Sequence, residues 1–216
     1  MEKYLLTFCL LPFALLAQVP KSIPFEENNR FRINEIAGYL EEEPAGFGVS
    51  YHNRAEWEKI KDKIDYPSVL KKAEEVLNTE MPAWDDELYL EFSKNGVRPP
   101  GEKMLNARKS RLAPLVWAEC MENEGRFVPK IESTLKELIS HRSWVLPAHD
   151  TYLNVFYGKK HEVDLAAAAF VHELAETLYF LDDKISEPVR VAVIDSMYAR
   201  AFNPVKDALQ TGKGYT

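Results

Sequence analysis

Cysteine is nearly absent: the 216 residues contain 2, Cys9 and Cys120. A disulfide framework of the kind that staples small exported domains is thereby excluded. Glycine is also scarce, at 9 residues, which does not suit a collagen-like fibre. Basic residues are in deficit, 27 against 34 acidic ones for a net charge of −7. Such a balance gives no broad electrostatic footprint for a polyanion such as DNA, so nucleic acid is not an expected partner. No apolar run reaches the roughly 20 residues that cross a bilayer, so no membrane span is expected. Hydrophobic residues make up 46% and charged residues 28% of the chain, a mixture that excludes disorder and builds a globular core. Net charge says nothing of local fields, and a few Arg, Lys and His in a cleft would still hold an anionic polysaccharide.

Residues 1–17 open with Lys3, continue as the apolar run Leu5 to Leu16 broken by Thr7 and Pro12, and end at Ala17 before Gln18. The pattern is that of a secretory signal peptide, with cleavage expected after Ala17 and a secreted or periplasmic product. Cys9 leaves with the signal, and a single cysteine cannot form an internal disulfide. Cys9 also lacks the small residues that precede a lipidated cysteine.

Beyond the signal, apolar positions recur at three- and four-residue spacing with proline at segment edges, and no strand alternation is evident. Residues 18–51 read as an irregular N-terminal arm, in which Asn34 caps a short helix with Ile36, Ala37 and Leu40. The rest, 52–216, reads as one helical domain. Ala55 to Ile64 carries Trp57, Ile60 and Ile64 on one face, and Ser68 is expected to cap a helix through Val69, Leu70, Ala73, Val76 and Leu77. Met81 to Pro100 reads as a long turn, with Trp84, Tyr89 and Phe92 in acidic surroundings, and is a candidate functional surface. Met104 to Glu124 is expected as one helix bent near Pro114 and stopped by Gly125. A further helix starts at Pro129. Val163 to Asp183 places Leu165, Ala168, Ala169, His172, Ala175, Leu178 and Leu181 in helical phase. Ser186 then caps a helix expected to stop at Asn203-Pro204. So short a link between the last two forces an antiparallel pair. Roughly three such hairpins follow one another, and periodicity does not choose between an open superhelix and a closed ring.

The densest polar cluster runs from His141 to Tyr152, followed by Asn154, Tyr157, Lys159, Lys160 and His161. It lies between two helices and is too long for a plain turn. A loop rich in Trp, Tyr, His and Asp suits a carbohydrate, because aromatic faces stack on a sugar ring while fixed polar groups orient its hydroxyls and carboxylate. The same loop is equally read as structural, with Trp144 plugging the core and Asp150 capping a turn or pairing with His149. His172-Glu173-Leu174-Ala175-Glu176 begins like a zinc-protease motif, but Glu176 stands where the second histidine is needed, so no metal is expected. Glu119, Glu122 and Asn123 share one face near a helix end, either as general acid and base or as a solvated surface. Arg98 and Arg108 are candidates for bidentate pairing with a uronate. Cys120 lies in an apolar phase and reads as core.

At Trp144-Val-Leu-Pro-Ala-His-Asp150, followed by Asp164-Leu165-Ala166 and preceded by Ala118-Glu119-Cys120 and Asn123-Glu124-Gly125-Arg126, the sequence resembles the heparinase II/III-like polysaccharide lyases, from about Phe31 to Gln210. The resemblance implies part of an incomplete (α/α) toroid of antiparallel helical hairpins, and cleavage of uronic-acid glycans such as glycosaminoglycans or alginate by β-elimination. Elimination needs the uronate carboxylate neutralised, a base for the C5 proton and an acid for the leaving oxygen. In the family an Asn or His and a Tyr do this, on a later toroid helix and in a β-sandwich region. Neither is matched before Thr216, so the expectation is an N-terminal portion lacking the second toroid half, with no catalytic residue, cofactor or metal of its own. The resemblance implies substrate contact or cleft shaping for Trp144, His149 and Asp150. The loop chemistry adds Tyr152 and Asn154, and the other polar clusters add Arg98, Glu119 and Asn123. Two alternatives stand beside it: a non-catalytic module that binds glycan or protein, and a toroidal glycoside hydrolase with Asp150 and Glu119 or Glu122 as its carboxylates.

Overall fold

A computed structural model describes residues 35–39 and 48–212. The expected signal peptide and most of the arm, including Asn34 and Leu40, lie outside these residues. The chain divides into two units, Met1–Gly46 and Phe47–Thr216. In the first, residues 35–37 are helical. The second is all-α, and no strand occurs among its described residues.

Its helices are α1 (Arg54–Lys63), α2 (Tyr66–Leu77), α3 (Asp86–Asn95), α4 (Pro99–Lys109), α5 (Leu112–Glu122), α6 (Val128–Ile139), α7 (Leu165–Leu181), α8 (Glu187–Met197) and α9 (Asn203–Thr211). α5 is the hub, packing on α1, α2, α6 and α7, while α3 pairs with α4 and α6 with α8. Its composition explains this place, since Leu112, Leu115, Val116, Ala118, Cys120 and Met121 are all buried. Residues 48–51, expected in the arm, join the helical unit: the Tyr51 amide donates to the Phe180 carbonyl at 2.8 Å, and Trp57 Nε1–H donates to the Ser50 carbonyl.

Several expected boundaries move for local reasons. Asp65, not Ser68, caps α2, accepting the Ser68 amide with its carboxylate. The expected turn over Met81 to Pro100 contains α3, capped by Asp85 and closed by Gly96 in the left-handed conformation. One bent helix becomes two, α4 and α5, with Pro114 in the first turn of α5 where its missing N–H costs nothing. α5 is stopped by Asn123 (φ 60°), two residues earlier than Gly125. After α8 a π-helical turn, Tyr198–Phe202, leads into α9, and Asn203-Pro204 begins that helix instead of stopping one.

Two apolar clusters form the interior. The larger joins α1, α2 and α5–α8, and the smaller consists of Tyr89, Met104, Leu105 and Phe156 with Trp84, Leu90, Leu146 and Leu153 against it. The 140–164 loop supplies Val145 and Val155 to the first and Leu146, Leu153 and Phe156 to the second, and so is wedged between them.

Candidate cleft at the 140–164 loop

The loop is held by two side chains that the sequence offers as ligand-facing groups. Trp144 is 4% exposed. Its ring stacks on Phe170 at 4.8 Å between centroids, Arg200 lies over it at 4.4 Å, and its Nε1–H donates to the Leu138 carbonyl. No face of the indole remains for a sugar, which corrects its assignment to substrate contact. Asp150 is 3% exposed. Its oxygens accept the Val155 amide at 3.1 Å and the Phe156 amide at 2.8 Å, with the Tyr89 hydroxyl at 3.4 Å. It is a turn cap, with Leu153 in the left-handed conformation inside the turn (φ 56°).

Around this scaffold lies an open concavity of about 380 Å³, lined by His149, Asp150, Tyr152, Asn154, Lys160 and Asp164, among others. Of the sequence candidates it gathers His149, Asp150, Tyr152 and Asn154. His149 ends a short 3₁₀ turn, Pro147–His149. Its Nδ1 lies 2.7 Å from Asp164 Oδ2. Tyr152 is 84% exposed at the rim. Lys160 is ion-paired with Glu162.

Arg98, Glu119 and Asn123 are not brought to this cleft. Arg98 stands at the start of α4 and pairs with Glu102 at 2.7 Å. Glu119 is fully buried: it accepts the Gly125 amide at 2.8 Å and the Phe127 amide at 3.2 Å, and is ion-paired with Lys184. Asn123 is the left-handed residue that ends α5. Burial without escape for the Glu119 carboxylate corrects its reading as a substrate or acid–base group, since each oxygen already closes a backbone turn or an ion pair. Glu122 is likewise engaged, by Tyr66 and Arg126. Arg108 is buried and donates to His141 Nε2 at 2.7 Å, to the Pro82 carbonyl and to Glu137. Burial pushes the His141 imidazole down to about 3, with the positive charges of Arg108 and Arg200 adding to the effect. Burial also pushes the Cys120 thiol up to about 12, helped by Glu119, so it is an inert core residue.

The residue whose role in the cleft sequence reasoning did not assign is Asp164. It caps α7 by accepting the Ala167 amide at 2.8 Å, and the same carboxylate accepts the Leu146 amide at 3.0 Å and holds His149. An aspartate three residues before the first buried alanine of an Ala-rich helix is a capping signal, but nothing local in sequence says that a histidine fifteen residues earlier shares it. His172 is exposed and faces Glu176 at 3.4 Å. His52, Asp182 and Asp183 bring one ligand atom each within 4.8 Å of one another on the surface, but Asp182 also pairs with Arg190 and Asp183 accepts from Tyr51. No protein-family model matches the chain, and no curated protein matches it.

Proposed function

We propose that this chain forms part of the helical toroid of a secreted lyase of the heparinase II/III-like kind, and that the cleft beside His149 meets the acidic sugar chain. The observation that carries the reading is the cleft itself: an exposed tyrosine ring stands beside an oriented imidazole, an amide side chain and a lysine in one concavity of sugar size. The all-α packing and the order of the Trp144–Asp150 and Asp164–Ala166 motifs support the same family. The acids of the cleft do not repel an anionic glycan outright. Asp150 and Asp164 are each compensated by two backbone amides and a further partner, and Glu162 by Lys160. Tyr152 then offers a face to the sugar ring, His149 and Asn154 meet hydroxyls, and Lys160 meets the uronate carboxylate by exchanging partners with Glu162. The hydrolase alternative is not carried forward, because Asp150, Glu119 and Glu122 all serve the fold.

Titration of the chain with oligouronates and with neutral glucan oligomers tests the reading. Binding of the uronates is expected, reduced about fivefold by Tyr152→Ala, the equivalent of about 1 kcal/mol of aromatic contact. Equal indifference to both glycans, or uronate binding unmoved by both Tyr152→Ala and His149→Ala, overturns it. Ultraviolet absorbance of an unsaturated uronate product distinguishes elimination from binding alone.

A further inference from the structure

Asp164 sits at a junction of three hydrogen bonds. Oδ1 accepts the Ala167 amide, and Oδ2 accepts the Leu146 amide while lying 2.7 Å from His149 Nδ1. An ionised carboxylate has lone pairs and no proton to give, so the proton between it and the imidazole belongs to Nδ1. In the neutral ring Nε2 is then left with its lone pair, and among the described residues it has no hydrogen-bond partner. The carboxylate is itself fixed, since the two amides belong to Leu146, which leads into the 3₁₀ turn that ends at His149, and to the first turn of α7. Asp164 is about nine-tenths buried and His149 a little under half exposed, so the anchor is in the wall and the free nitrogen belongs to the ring that lines the cavity.

We propose that Asp164 is the positioning residue of this cleft: it locks His149 as the Nδ1–H tautomer and so presents Nε2 as a hydrogen-bond acceptor to a hydroxyl of the bound ligand. The sugar identity of that ligand rests on the function proposed above, whereas the tautomer does not. The arrangement follows the general use of carboxylates to orient imidazoles by their second nitrogen. A glycan hydroxyl donating to Nε2 while Tyr152 covers the ring face would be recognised by orientation as well as by charge.

Nitrogen NMR of isotope-labelled histidine in the full chain, recorded about two pH units above the usual imidazole value of about 6.5, reads the tautomer directly, with His149→Gln assigning the signal. A protonated Nδ1 and an unprotonated Nε2 at His149 are expected. Asp164→Ser supplies the comparison: serine is a favoured N-cap and keeps the Ala167 amide satisfied, but its short hydroxyl does not reach the imidazole. In that variant the signal is expected to become a mixture of tautomers, while helical circular dichroism is retained. A wild-type ring protonated on Nε2, or a tautomer unchanged in the serine variant, overturns the proposal. Addition of oligouronate is expected to shift the wild-type Nε2 signal and to bind the serine variant about tenfold more weakly. The expected tautomer with no response of Nε2 to any uronate supports the positioning role and sinks the glycan reading instead.

Discussion

Two neighbouring residues of one motif, His149 and Asp150, have opposite fates, and the difference is set by what the backbone around them needs. The turn after Asp150 leaves the amides of Val155 and Phe156 facing inward with no helix carbonyl to accept them, and the aspartate oxygens fill that place. His149 has no such duty and remains half exposed. Asp150→Ala should therefore strand two buried donors, while the Tyr89 hydroxyl keeps Ser143 and the Val145 carbonyl, and an unsatisfied buried group costs about 1–3 kcal/mol. A loss of roughly 2–4 kcal/mol is expected in chemical denaturation, against a much smaller change for His149→Ala. Comparable losses for the two would show that Asp150 does not hold the turn. Loop chemistry made the polar cluster visible in sequence, but a Trp and an Asp serve equally to contact a sugar or to fill a core. The choice lay in long-range partners, Phe170 and Arg200 for Trp144 and Tyr89 for Asp150, that no local pattern records.

At the scale of the elements, those with a clean apolar stripe and a proline or a capping side chain at the start were legible: α1 and α6 fall within a residue or two of their expected places, and α8 begins at Glu187 as expected although it ends at Met197, short of the expected stop. α3 was not, because its Asn95-Gly96 and Pro99-Pro100 flanks read as one long turn and its outer face is acidic, although Asp85 to Glu87 is a good helix start. The phase of α7 was misread for a different reason. Apolar residues surround it, so several stripes fit equally well. Ala167, Phe170, Val171 and Leu174 are buried, while Leu165 is 86% exposed and Ala168, Ala169, His172 and Ala175 face outward, so that of the expected stripe Leu178 and Leu181 are the buried members. Gly101 shows how element packing overrides propensity. It lies inside α4, where alanine is ordinarily better by about 1 kcal/mol. A Cβ there would stand 2.7 Å from Pro147 Cγ and 2.8 Å from the Leu88 carbonyl oxygen, so α4 approaches both α3 and the 3₁₀ turn below His149 through this residue. Gly101→Ala should therefore destabilise the protein by roughly 1 kcal/mol or more, the overpacking exceeding the helix gain. A raised melting temperature would show that the two helices separate freely.

The unit as a whole is linked to pH through the buried ring that ties its two apolar clusters together. His141 lies between Trp84 of the smaller cluster, at 5.1 Å, and Phe170 of the larger, at 5.7 Å, and its Nε2 accepts the Arg108 Nε–H. In the folded protein the ring stays neutral down to about pH 3, because burial and the flanking Arg108 and Arg200 oppose a further positive charge. In the unfolded chain it takes a proton near its ordinary value of about 6.5. Above that value both states are neutral and the ring contributes no pH dependence. Below it the unfolded state binds the extra proton, so stability falls as pH falls, by up to about 1.4 kcal/mol per unit between the two values. From pH 7 to pH 5 the expected loss from this residue is about 2 kcal/mol. His141→Gln keeps an acceptor for Arg108 and does not titrate, so its denaturation midpoint should lie below that of the wild type at pH 7 and fall less steeply toward pH 5. Parallel pH profiles for the two proteins would place a proton on the folded ring already, and the two clusters would then be joined by an imidazolium beside two guanidinium groups, an arrangement with no compensating anion at the ring.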